Sequence, residues 1–164
     1  MAEYYTLFCE GLKIHTPEEY EWLKKVYALT PNESYQDDPD LDMSEEMERV
    51  KDELGFEMDY EDFESEYPGH QYDLKPDSLK VYSEGDLSLS GVSRIIQGFL
   101  RKFRPDECFS ITWAFTCSKT WVGEFAGGAV FITADKIENH HVRNFVMQKE
   151  MEHDKRIAAK KKAI

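Results

Sequence analysis

The residues best placed to do chemistry together are carboxylates. Between residues 33 and 66 lie sixteen Asp or Glu against only Arg49 and Lys51, a net of −14. The rest of the chain is nearly balanced, although all 164 residues together carry −13. The acidity is therefore local, set into a neutral body. Within it, Phe56, Met58 and Tyr60 alternate with Glu57, Asp59 and Glu61, which predicts a strand with an acidic outer face. Alternate residues of a strand stand about 6.6–6.8 Å apart. Two steps along one strand of B-DNA rise about 6.8 Å. A carboxylate row at that spacing can imitate phosphates and compete for the Lys/Arg groove of a nucleic-acid-binding protein. Asp37, Asp38, Asp40, Asp42, Glu45, Glu46, Glu57, Asp59, Glu61, Asp62 and Glu64 form the candidate partner-binding set. The plainer alternative is a solvated acidic face that only maintains solubility.

Other chemistries fit less well. Asp38, Asp40 and Asp42 match the first, third and fifth positions of a calcium-binding EF-hand loop, followed by Ser44 and Glu46. However, Met43 stands where glycine makes the turn, and Arg49 where a bidentate Glu belongs. No metal is expected. Cys117 with Lys119 and Glu124 could be a nucleophile and its helpers, but a catalytic thiolate needs a base or positive field, and no histidine is near in sequence. Cys117 alternates in phase with Ile111, Trp113 and Phe115, as a small buried hydrophobe would. His140, His141 and His153 lack zinc-site spacing with any thiol. Gly127-Gly128 lacks the pattern of a phosphate loop and suits a close backbone approach or a bulge. Lys155, Arg156, Lys160, Lys161 and Lys162 form a basic tail able to pair with the acidic segment or to touch nucleic acid. The balance favours a non-enzymatic protein with no cofactor.

The elements that must position these groups are read from periodicity. Residues 4–14 are apolar enough for a first strand, ending near Gly11. Thr16-Pro17-Glu18-Glu19 is a capping box with proline at the first helical position, and Tyr20, Leu23 and Tyr27 follow on one face. That helix ends by Thr30-Pro31. Ser44 can cap a short helix through Met47, Val50 and Leu54 to Gly55. Residues 64–77, with Pro68-Gly69 and Pro76, read as a turn or loop, and 79–82 as a short strand. Val92, Ile95, Ile96, Phe99, Leu100 and Phe103 make the clearest amphipathic helix, closed by Pro105. The densest apolar stretch follows, with strands at 109–113 and 129–133. Asp135 and Glu138 form a second capping-box pattern, predicting a last helix packed through Ile137, His141 and Phe145. Leu100 and Trp113 are expected to be buried.

Two β-α-β halves in this order suggest an α+β fold: a ferredoxin-like sandwich, a mostly antiparallel sheet with helices on one face. An acidic insert and a C-terminal helix extend it. The expected organisation is a single domain over 1–147, with the insert at 33–66, and a charged helical tail over 148–164. Hydrophobic content of 41% supports a folded core. Three widely spaced cysteines, no apolar run long enough for a membrane span and an acidic N-terminus point to the cytoplasm.

Trp113-Ala114-Phe115-Thr116-Cys117-Ser118-Lys119, then Glu124-Phe125, then Gly127-Gly128-Ala129 resembles a motif shared by small acidic proteins of phages and plasmids. The resemblance covers roughly the C-terminal half and excludes the acidic insert. It implies a mobile-element origin and a role in countering host defences, without a mechanism. The expected function is an inhibitor of the anti-CRISPR or anti-restriction type. Its partner would be a basic host nucleic-acid-binding protein, a nuclease or CRISPR effector, with no direct contact to nucleic acid or membrane. The alternatives are a regulatory or structural interaction module and, third, a small hydrolase.

Overall fold

The computed structural model describes residues 4–29, 52, 71–85, 89–118 and 126–162. They form an α+β structure of six antiparallel strands and three helices, in the chain order β1 (Tyr4–Lys13), α1 (Pro17–Leu29), β2 (Gln71–Lys75), β3 (Ser78–Gly85), α2 (Leu89–Phe103), β4 (Cys108–Cys117), β5 (Ala126–Thr133), β6 (Ile137–His141) and α3 (Val142–Lys162). The sheet order is β2-β3-β1-β4-β5-β6, and every neighbouring pair is antiparallel. β1 is thus central, and β2 and β6 are the two edges. The β1–β4 ladder pairs only Tyr4 through Leu7 with Cys117 through Ala114. Farther along, the Glu10 carboxylate accepts both the amide (3.3 Å) and the hydroxyl (3.0 Å) of Thr112.

Period-2 alternation puts one face of each inner strand in the core. Phe8 and Leu12 of β1, Leu79 and Val81 of β3, Ile111 of β4, and Val130 and Ile132 of β5 are buried there. α1 and α2 cover that face with Trp22, Leu23, Val26 and Tyr27 from one helix and Val92, Ile95, Ile96, Phe99 and Leu100 from the other. The helices meet through aromatic rings. Trp22 lies 6.2 Å from Phe99 and edge-on at 5.9 Å to Phe103. On the outer face Leu7 and Phe131 are exposed, as one side of an antiparallel sheet can be.

The predicted capping box forms at the start of α1. Thr16 Oγ1 accepts the Glu19 amide at 3.3 Å, and Glu19 Oε2 accepts the amides of Thr16 (3.3 Å) and His15 (2.6 Å). The same carboxylate receives Arg104, through Nε at 2.9 Å and Nη2 at 2.8 Å. Arg104 also donates to the Lys13 carbonyl at 2.7 Å. Both side chains are buried. The Arg104 hydrogen bonds hold the Glu19 carboxyl below its ordinary range, against the opposing effect of burial. One ion pair thus ties the end of β1, the start of α1 and the exit of α2.

Three expectations need correction. Residues 71–75, read as loop, are edge strand β2, joined to β3 by a two-residue turn at Pro76-Asp77. The predicted helix start at Asp135 is instead a hairpin turn: the Thr133 amide donates to the Lys136 carbonyl at 2.9 Å, and Ile132 pairs with Ile137. Ile137 and His141 therefore belong to β6, and the helix begins only at Val142 with Phe145 exposed. Cross-strand pairing there outcompetes a local cap worth about 1 kcal/mol. Leu100 is buried as expected, but Trp113 is only partly so. It lies across Gly128, where an added Cβ would come within 2.1 Å of the His140 carbonyl oxygen and 2.8 Å of the indole. The His141 ring meets the same indole edge-on at 5.1 Å. That is the close approach for which the Gly127-Gly128 pair is suited.

Candidate functional site

The acidic candidates, Asp37 through Glu64, lie outside the described residues, as do the EF-hand-like positions 38–49, the helix expected at 44–54 apart from Asp52, the strand expected at 56–61, Lys119 and Glu124. Their place in the topology is nevertheless defined. The acidic segment occupies the connection between α1, which ends at Leu29, and β2, which begins at Gln71. The two ends of that connection meet. Tyr27 in the last turns of α1 and Tyr72 at the start of β2 stack at 4.0 Å between ring centroids, 21° from parallel. Tyr27 is buried, and burial, with Tyr72 adding to it, pushes its phenol far above the ordinary tyrosine range. The ring pair brings the last turns of α1 beside the start of β2.

The other residues singled out by sequence are dispersed. Cys9 and Cys108 are exposed, Cys117 is half-buried at the end of β4, and all three are free thiols. His140 and His141 stand on β6 rather than on a helix, and His153 stands on α3. Among the described residues no group of three or more His, Cys, Asp or Glu is assembled that could hold a metal ion. Also among them, no helix is long and apolar enough to cross a membrane. Every residue from Val142 to Arg156 on α3 is exposed, including Phe145, Val146, Met147 and Met151.

The structure adds one concave site that sequence reading did not find. A cleft of about 370 Å³ separates one side of α2, from Leu89 to Arg101, from the turn between β5 and β6. Ser90, Ser93, Arg94, Gln97 and Arg101 line it from the helix, spaced three or four apart along one stripe. Asp135, Lys136 and Asn139 face them from the hairpin. Two contacts fix the walls: Gln97 Nε2 donates to the Thr133 carbonyl at 3.3 Å, and Arg101 Nε to that of Ala134 at 2.5 Å. Gln97 and Ser93 are both buried, and the Ser93 hydroxyl donates to the Leu89 carbonyl. Gln97 Oε1 is buried with no hydrogen-bond partner. The legible signal was this polar stripe on an otherwise apolar helix; a glutamine in phase with buried neighbours requires partners.

Comparison of the chain with family models, with curated proteins and with solved structures gives no match.

Proposed function

We propose that this protein is a cytoplasmic, non-enzymatic inhibitor from a phage or mobile element. It would bind the basic, nucleic-acid-binding surface of a host defence protein through the acidic segment. The observation that carries this reading is the placement of the charge. A net of −14 is concentrated in a connection whose two ends are clasped by Tyr27 and Tyr72, while the body carries almost none. Ions concentrated in one region of a surface steer association with an oppositely charged groove far better than the same charge spread evenly. The body then serves as a scaffold. For that scaffold we infer a ferredoxin-like sandwich extended by β5, β6 and α3. The order β2-β3-β1-β4 supports it, as do the two helical crossovers from β1 to β2 and from β3 to β4.

The test is competition. A partner captured from host lysate is loaded with DNA and titrated with the protein. Wild type should displace the DNA, with affinity falling steeply as salt rises. The triple variant Glu57→Gln, Asp59→Asn, Glu61→Gln should remain folded and fail to displace it. Equal displacement by the variant would leave the charge as solvation only.

A second reading rests on a different observation. The exposed apolar side chains of α3, Val142, Phe145, Val146, Met147 and Met151, suit a regulatory or structural interaction module instead. Binding through them would be insensitive to salt, which separates the two readings in one titration.

A further inference from the structure

We propose that β6 is a dimerisation edge, on which a second copy of this chain lays its own β6 antiparallel to make one continuous sheet. The inference does not depend on what the acidic segment binds. It starts from the direction of backbone groups. The Thr133 amide donates to the Lys136 carbonyl at 2.9 Å, so these two residues are the hydrogen-bonded pair that closes the β5–β6 turn. Bonded and non-bonded pairs alternate along an antiparallel ladder. Glu138 and His140, opposite Phe131 and Ala129, therefore turn their amides and carbonyls to β5. Ile137, Asn139 and His141 turn theirs to the other side, where no described strand pairs with β6. Glu138 through His141 are exposed.

A two-fold axis at Asn139 makes that edge complementary to itself. Asn139 exchanges both backbone bonds with Asn139 of the second copy, and the His141 amide meets the Ile137 carbonyl of the second copy. Glu138 then falls opposite His140 of the second copy in a non-bonded pair, where side chains approach most closely. The imidazole donates to the carboxylate, and symmetry repeats the contact. On its own strand Glu138 also holds Lys136, at 2.8 Å. β2, the opposite edge, lacks this match. An axis at Asp73 sets two carboxylates face to face, and the strand ends in Lys75-Pro76, residue types that guard an edge. Neither type occurs in 137–141. β2 is also the strand to which the connection of net −14 returns, so pairing at β6 joins the copies at the edge remote from it. A short edge alone is a marginal contact. Five of the eight large apolar side chains exposed among the described residues lie on α3, which begins where β6 ends. The second copy's strand thus arrives beside an apolar helix start at Val142, Phe145 and Val146.

The experiment uses the full chain. Sedimentation over a range of concentrations should show a monomer–dimer equilibrium. The Asn139 amide should exchange at least about tenfold more slowly in the dimer than in dilute monomer. That readout, on wild type, keeps the test independent of how variants fold. Asn139→Pro removes an outward amide that the β5–β6 ladder does not use, so the fold should survive and the dimer should be lost. Glu138→Lys should weaken the dimer by about tenfold. Combining it with His140→Glu should restore the dimer, since each Lys again faces a Glu. A monomer at about 0.1 mM would overturn the proposal. So would a dimer with an unprotected Asn139 amide, a dimer that survives Asn139→Pro, a charge swap that restores nothing, or assembly that grows beyond two copies.

Discussion

Two helices of this protein lie at opposite extremes of engagement. α1 has 13 residues and buries Trp22, Leu23, Val26 and Tyr27, with its first turn locked by the Glu19–Arg104 pair. α3 has 21 residues, and its exposed stretch takes in everything from Val142 to Arg156. Length therefore says little about what a helix contributes. α1 is fixed at both ends, by the ion pair at its start and the Tyr27–Tyr72 stack near its finish. α3 meets the body at β5 and β6, while its residues from Val142 to Arg156 stay exposed. Stability should reside in the α1–α2 layer, and α3 should be available for contact.

The largest test of that contrast is Glu19→Gln. Removing the buried partner leaves Arg104 with only the exposed Glu107 carboxylate at 3.5 Å and the Lys13 carbonyl, which costs about 3 kcal/mol, the lower end for breaking a buried pair. Urea unfolding should show it, and the double variant Glu19→Leu with Arg104→Met should recover much of the loss. The same pair has a pH signature. The folded-state carboxyl of Glu19 titrates below its ordinary value, so its contribution is complete above the unfolded pKa and disappears as pH falls through the folded one. The stability gap between wild type and Glu19→Gln should therefore close in acid and stay constant above neutrality.

Leu100→Ala comes next, at about 2–5 kcal/mol for truncating a fully buried side chain. A loss below about 0.5 kcal/mol would mean that α2 turns another face to the sheet. Gly128→Ala should cost about 1–3 kcal/mol, because the new methyl meets a backbone carbonyl and a packed indole together. Its loss should be accompanied by a changed Trp113 emission and by faster amide exchange in β6. Smallest of all, Phe145→Ser and Val146→Ser on α3 should each stay within about 0.5 kcal/mol of wild type in melting experiments. A large loss there would erase the contrast between the helices.

What sequence could and could not reveal follows from the same geometry. The α1 capping box, the α2 stripe and the β4–β5 alternation were legible because burial of one face writes a period into the residues. The strands it missed are β2 and β6, the two edges of the sheet. Gln71-Tyr72-Asp73-Leu74-Lys75 and Ile137-Glu138-Asn139-His140-His141 are mostly exposed and carry no such period. Their pairing depends on neighbours distant from any local pattern. The candidate sites divide similarly. The acidic set was visible from composition alone, whereas the cleft joins residues of α2 to a turn some 36 positions farther on, as in Gln97 and Thr133.

The sheet order also sets how the molecule bears load. β1 sits between β3 and β4, so a pull on that strand is resisted by two ladders. Among the described residues β6 has one neighbour, and it continues at His141 directly into the α3 rod. A rod of 21 residues is about 31 Å long, and force on its far end reaches β6 at a single point. Hydrogen bonds there break in succession, as a zip opens, whereas those of β1 must fail together. Under tension the protein should yield first at the β5–β6 hairpin, with the α1–α2 layer still intact.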